Sequence, residues 1–505
     1  MNKILSIGID SLDPELLVKF ETDLPNFTKI RKQGPVIHSS SVFPVDSIPA
    51  WVSIYTGLNP AKHGIIHSFD IFGSSWKDIV GIDVNMFKGR TFWDIASNNG
   101  KKVCILFPFL ADPPWEVNGL MVGRSTDEFP IPDEATWVIR KDITSYPVKA
   151  SAEYRIPDSI KSVKGRPPSK KDFDKYLDVL RTNTIEEGNL ALRLSKDADW
   201  DLFFMMFSWL DIVQHFFWRF CDEEDPTYPG ENPYQNVIKE FYQIYDNILG
   251  EFMEAHPETT TIVFSDHGHA MRPVRTVNMN EVLRKKGLLK ARSGALNPAP
   301  FILENLKRIS LDLIRRFGLD HLMVRISKSK ALSSISKDIY MSSASIDFDR
   351  SMAYLSSFAG PKSYSHGGIE VNEGNLAGGS YEELRTMLID ELSGLTEPET
   401  GHKLVKWVCR REELYQGSNI HLYPDIVFEL VEGYGVYWGI HTPLIGTAYE
   451  HKLASGGHHR DAVFLIANCI EQPKRNTISI MDIGPTILHL LDIKLEEEID
   501  GACIF

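Results

Sequence analysis

Two runs of strand-forming apolar residues, Ile4 to Ile9 and Thr259 to Phe264, each end in ionisable side chains: Asp10 after the first, Ser265-Asp266-His267-Gly268 after the second. An apolar run without polar alternation is a strand covered on both faces, as in parallel sheets. A carboxylate at the carboxyl end of such a strand lies where open α/β sheets place their ligands. Elsewhere, Thr91 to Asn99 reads as a helix, Lys102 to Phe107 and Ala462 to Ala467 as strands, and about Asp482 to Leu491 as a helix. Strands alternating with helices predict an α/β fold with a mostly parallel sheet sandwiched by helices.

Two stretches break this rhythm. Residues 110 to 175, rich in Pro and Gly, read as long excursions over the sheet edge. Residues 284 to 337 read as a helical basic insert, holding 13 Lys and Arg against Glu304, Asp312 and Asp320, a local +10 in a chain of net charge −14. Ile302, Leu306, Ile309, Leu313 and Phe317 make one apolar face there. The expected organisation is a core formed by 1–283 and 338–505, interrupted by the insert at 284–337. With 43% hydrophobic residues, the chain of 505 has the material for a large core.

The overall acidity disfavours generic binding to nucleic acid or an anionic membrane. The insert's amphipathic face would suit a membrane surface, although such a face more often packs on a core. The chain lacks an uninterrupted apolar run of about 18 residues, and Met1 to Asp10 enters a strand pattern at once instead of a secretory leader. Its five cysteines, Cys104, Cys221, Cys409, Cys469 and Cys503, are scattered without a Cys-x-x-Cys pair. These features predict a reduced, cytoplasmic protein.

Ser47 precedes Pro49 at a helix start, where free backbone N–H groups favour an anion such as a phosphoryl group; the plainer reading is a helix cap. Asp211 and His215 are four apart, so on a helix both face one way and can grip a divalent cation. Phe203, Phe204, Phe207, Trp209, Phe216, Phe217 and Trp218 around them argue against a solvated pair. Asp266 and His267 can serve two neighbouring sites, with His269 a further candidate. In Gly456-Gly457-His458-His459 the glycines allow close backbone approach, and either imidazole could ligate. Oxygen and nitrogen donors without thiolate suit Zn²⁺ or Mn²⁺, and two such ions can clamp a phosphoryl transfer.

In order, Gly-Ile-Asp10, Ser47-x-Pro-x-Trp with Thr-Gly-Leu-Asn-Pro-x-Lys-His-Gly, Asp211-x-x-x-His215, Ser-Asp266-His267-Gly and the late Gly-x-His resemble the type I phosphodiesterase/nucleotide pyrophosphatase branch of the alkaline phosphatase superfamily. The likeness extends over nearly the whole chain, to Asp482-Ile-Gly-Pro-Thr-Ile-Leu and Asp500-Gly. It implies an alkaline-phosphatase-like fold, one metal on Asp10, Ser47, Asp266 and His267, and a second on Asp211, His215 and a late His. His458 is preferred to His459 because His458-His-Arg-Asp461-Ala462 fits the family shape without a gap. Many diesterase relatives use Thr as nucleophile where Ser47 stands here. Ser68 aligns with a phosphate-contacting Asn, which makes it a candidate substrate-binding position. Trp51 stands where sulfatases need Arg.

The resemblance therefore implies a metal-dependent phosphoric ester hydrolase that acts on a small anionic phosphate ester through phosphorylated Ser47. A phosphomutase or phosphomonoesterase would use the same residues, and a non-catalytic scaffold or membrane-surface protein using the basic insert is a reading of another class. Trp51, Phe69 and Trp76 are candidates to stack a nucleobase, although aromatic residues so placed more often serve the core.

Overall fold

The computed structural model describes residues 3–66, 84–111, 114–123, 138–140, 170–292, 346–358, 363–376, 378–448, 450–452, 454–494 and 498–505. The strands that frame the site are, in chain order, β1 (Ile4–Ile9), β2 (Val103–Leu106), β3 (Gly119–Val122), β4 (Val138–Arg140), β5 (Leu202–Phe207), β6 (Thr260–Phe264), β7 (Gly268–Met271), β8 (Ala353–Leu355), β9 (His366–Val371), β10 (Val405–Arg410), β11 (Ile426–Leu430), β12 (Gly456–His459) and β13 (Phe464–Ala467). Four helices matter equally: α1 (Ser47–Thr56), α2 (Trp209–Cys221), α3 (Val237–Ala255) and α4 (Tyr381–Ser393).

The central sheet has the order β13-β6-β1-β5-β2-β3-β4. Its five inner strands run parallel, and β13 and β4 close the edges antiparallel. Successive residues enter different cores, which explains why the runs are apolar throughout. Leu5, Ile7, Phe203, Met205 and Val263 face a layer that includes Phe241, Tyr245 and Phe252 of α3. Ile4, Phe204, Met206, Ile262 and Phe264 face the layer of Trp51 and Ile54 of α1.

A second sheet, β8-β9-β11-β10, is antiparallel and has its own core, with Ile369, Ile426 and Phe428 packed on Leu388 and Leu392 of α4. The alternation reading has no sheet there, because these strands are short and lie within one stretch of chain. Leu288 and Leu289, at the start of the basic segment, pack into this core; residues 293–337 lie outside the described residues, as do Ser68, Phe69 and Trp76.

The run 462–467 is divided. Asp461–Ala462 pairs with His38–Ser40, and only Phe464–Ala467 joins the central sheet, antiparallel to β6. That direction has a consequence for the site. An antiparallel edge strand brings the residues before it, including His458 and His459, to the carboxyl end of the parallel strands. Among the described residues, no helix is long and apolar enough to cross a membrane.

Candidate active site

Three adjacent parallel strands deliver the acidic residues. Asp10 follows β1 and its N–H donates to Phe207 O, the end of β5, at 2.8 Å. Asp211 lies in the first turn of α2, which starts just beyond β5, and Asp266 follows β6. β12 pairs antiparallel with β7, setting His458 opposite His269.

The structure brings the expected residues into two clusters of ligand-type atoms, each lying within 4.8 Å of one another: Asp10, Asp266 and His267, and Asp211, His215 and His458. His458, not His459, stands in the second. The clusters adjoin, with the rings of His267 and His458 4.0 Å apart at 26°.

In the first cluster, His267 Nε2 lies 3.1 Å from Asp266 Oδ2 and 3.9 Å from Asp10 Oδ1. Ser47 Oγ is 3.0 Å from His267 Nε2 and 3.4 Å from Asp10 Oδ1. Ser47 opens α1 and is half-buried, while Asp46 caps the helix by accepting from the Ile48 N–H at 3.1 Å. Pro49 sits in the first turn, as its missing N–H allows. Asp266 Oδ1 accepts from the Ser11 N–H at 3.1 Å, made possible by the left-handed φ of 66° at Ser11. Burial and the facing carboxylates hold the carboxyl groups of Asp10 and Asp266 well above the ordinary range.

In the second cluster, Asp211 Oδ1 is 3.3 Å from His215 Nε2 and 3.4 Å from His458 Nε2, and the two imidazole nitrogens are 3.1 Å apart. Burial pushes His215 below its ordinary value, and pushes His267 down to about 3 with His458 adding to the effect.

The tautomers follow from the backbone. Nδ1 of His215 meets Gly456 O at 2.9 Å, Nδ1 of His458 meets Val45 O at 3.0 Å, and Nδ1 of His267 meets Gly268 O at 3.0 Å. A carbonyl oxygen only accepts, so each Nδ1 carries the hydrogen and each Nε2 directs a lone pair inward. Among the described residues, Asp211 Oδ1 and Asp266 Oδ2 are buried without a hydrogen-bond donor. In the second cluster the neutral imidazoles and the Asp211 carboxylate oxygen, at 3.1 to 3.4 Å, have no hydrogen between them and repel unless a cation lies among them; in the first, the raised Asp266 carboxyl relieves its contact with His267 Nε2 only while it keeps its proton. The donor chemistry thus fits divalent metal ions, with the backbone carbonyls orienting the imidazoles.

Several contributors had no local signal. Trp51 Nε1 donates to Asp10 Oδ2 at 3.1 Å across a separation of 41 residues. Trp51 is fully buried and packs on Tyr55 and Phe264, so it is no platform for a base. Gly8 leaves room for its ring: a Cβ there would lie 2.7 Å from Trp51 Cη2. Gly456 likewise permits close approach, since a Cβ would lie 2.3 Å from Gln214 O. His269 is buried behind the clusters, with Nδ1 2.7 Å from Ser11 Oγ and 3.7 Å from Asp211 Oδ1.

The model of the type I phosphodiesterase / nucleotide pyrophosphatase family matches residues 4–350. Among solved structures, phosphonoacetate hydrolase from Sinorhizobium meliloti 1021, in complex with phosphonoformate, aligns with a TM-score of 0.54 at 15% identity, covering 97% of this chain and 95% of that one. Murine ectonucleotide pyrophosphatase/phosphodiesterase 5 aligns with a TM-score of 0.47 at 15% identity, covering 99% and 98%. At these identities the first likeness is one of fold. No curated protein matches this sequence.

Proposed function

Because this chain belongs to the type I phosphodiesterase/nucleotide pyrophosphatase family of phosphoester hydrolases, we propose that it cleaves a small phosphate ester in a metal-dependent reaction with Ser47 as nucleophile. The observation that carries this reading is the convergence of three Nε2 lone pairs and unpaired carboxylate oxygens beside a reachable Ser47 hydroxyl. Asp10, Asp266 and His267, with Ser47, would hold one ion, and Asp211, His215 and His458 the other. Divalent ions there, Zn²⁺ or Mn²⁺ by donor type, would acidify the Ser47 hydroxyl and neutralise charge on the phosphoryl oxygens.

Ser47 Oγ attacks phosphorus, and the Oγ–P bond forms as the bond to the leaving alkoxide breaks on the opposite side. Without an ion the Ser47 hydroxyl lies within reach of His267 Nε2 and Asp10 Oδ1; with those atoms holding the ion, the hydroxyl proton would pass to solvent as the acidified Oγ attacks. Water then attacks the phosphoserine, and Ser47 takes back the electron pair of the Oγ–P bond. The first turn of α1 directs backbone N–H groups and the positive end of the helix dipole at the phosphoryl oxygens.

The test is Ser47→Ala, assayed on bis-nitrophenyl and mono-nitrophenyl phosphate with metal content measured in parallel. Turnover should fall by about three orders of magnitude or more while metal stays bound. Undiminished turnover removes Ser47 from the mechanism. The ratio of the two esters tells diesterase from monoesterase, and release of free phosphate tells hydrolase from mutase.

A further inference from the structure

Arg272 lies just beyond β7, against β12, and is 6% exposed. Its Nε donates to Gly456 O at 3.1 Å, and its Nη2 stands 3.4 Å from His215 Nδ1. The second contact is no hydrogen bond, because His215 Nδ1 carries the hydrogen it gives to Gly456 O. The guanidinium carbon is 5.4 Å from the centre of the Tyr364 ring, and that ring is 5.2 Å from the ring of His458. The charge therefore sits between Tyr364 and His215, beside the cluster with Asp211. Among the described residues no carboxylate pairs with it.

A buried cation without a counter-ion is costly. The same molecule shows the ordinary remedy at Arg385, 3% exposed, whose guanidinium pairs with Glu382 and Glu412. At Arg272 the remaining N–H groups form a planar fork of the kind that binds carboxylate or phosphate in bidentate fashion. Tyr364 steadies that fork through its ring face.

We propose that Arg272, flanked by Tyr364, is an anion subsite that takes a second negatively charged group of the substrate, a carboxylate or a phosphate distinct from the phosphoryl under attack. The inference rests on the reading of Ser47 as nucleophile and narrows the substrate class to esters with two anionic centres.

The test compares 4-nitrophenyl diesters whose second alcohol is 2-carboxyethyl, 2-phosphoethyl or propyl, in the wild-type protein and in Arg272→Met and Arg272→Lys. The wild type should prefer one or both anionic esters over the propyl ester by about tenfold or more in kcat/KM, and the better anionic arm identifies the group. Arg272→Met should collapse that ratio and Arg272→Lys should keep part of it. A ratio that survives Arg272→Met, whether or not absolute rates fall, overturns the proposal, because a merely structural role lowers all esters together. A second readout needs no turnover: calorimetric binding of the 2-carboxyethyl and 2-phosphoethyl methylphosphonates to the Ser47→Ala protein. At least tenfold weaker binding in Ser47→Ala/Arg272→Met supports the subsite even if no ester is hydrolysed, in which case the hydrolase reading alone falls. Equal binding by the two proteins overturns the subsite.

Discussion

Two of the regions in which the molecule buries ionisable groups treat them in opposite ways. In the second sheet, Asp425 Oδ2 accepts from the Val371 N–H at 2.7 Å, while Oδ1 accepts from Tyr381 Oη at 2.6 Å and pairs with Arg411 Nη1 at 2.9 Å. Arg385, behind it, is matched by Glu382 and Glu412 and donates to Asp425 O. At the carboxyl ends of β1, β5 and β6, acids face acids and imidazole lone pairs, and among the described residues Arg272 has no acid. Burial of ionisable groups is common to both regions, so burial does not mark the site. What marks it is charge left unmatched where the fold had donors within reach, since backbone and side-chain hydrogen bonds were used to aim lone pairs inward instead of silencing them.

Opposite treatment predicts opposite signs. Asp266→Asn would place an amide where Oδ2 stands 3.1 Å from His267 Nε2, giving that lone pair a donor at every pH, where the raised carboxyl supplies one only while it keeps its proton. The metal-free protein should gain on the order of 1–2 kcal/mol of stability. Its phosphoesterase activity should fall by about three orders of magnitude. Asp425→Asn, in contrast, should cost about 1–3 kcal/mol by withdrawing the carboxylate that Arg411 Nη1 and Tyr381 Oη share, leaving Arg411 to Glu412 and Tyr423 O, with activity within about twofold of wild type at a temperature where the variant is folded. Chemical denaturation of both variants after exhaustive chelation, beside initial rates, decides the matter. If Asp266→Asn destabilises the metal-free protein as Asp425→Asn does, the two regions are not different in kind.

Trp51 sharpens the comparison at a smaller scale, because among the described residues its N–H is the one side-chain donor besides Ser47 given to Asp10. Trp51→Phe keeps an aromatic ring beneath Gly8 but withdraws that orientation. Metal affinity should weaken by about 10–100-fold. Competition with a fluorescent chelator measures it, and an unchanged affinity would reduce Trp51 to a packing residue.

How much of this was readable in the chain differs between the regions for the same reason. Asp10, Asp266 and His267 end apolar runs, and Asp211 and His215 share one helix face, so local periodicity locates them. For the late imidazole the sequence favours His458 over His459 on the family shape of His458-His-Arg-Asp461-Ala462, and the strand register sets His458 opposite His269. Trp51, Ser11 and Arg272 act across the fold through contacts that no spacing announces. The second sheet was illegible because short antiparallel strands carry weak periodicity, and its charges cancel in pairs formed by residues far apart, such as Arg385 with Glu412. The division of 462–467 into two pairings turned on Val463, whose apolar side chain continues the run while its carbonyl accepts from the Ser265 N–H at 3.0 Å.

The second sheet is not wholly neutralised, and its exception yields the smallest expected effect. Glu370, on β9 opposite Tyr354, is half-buried and lies near Asp425; burial first, and that carboxylate second, raise its pKa from the ordinary value of 4.5 to about 7, against the pull of Arg411. A carboxyl group whose folded-state pKa is raised contributes stability that is fully present below the unfolded value and is lost as pH climbs through the folded value. Unfolding free energy should therefore decline between about pH 4.5 and 7, by at most roughly 2–3 kcal/mol from this group. Glu370→Gln keeps the shape and removes the proton equilibrium, so its stability should change less over that window. Denaturant midpoints of wild type and variant at pH 5 and pH 8 give the difference. Parallel slopes would mean that Glu370 shares its charge with Arg411 as completely as Asp425 does, and the second sheet would then be matched throughout.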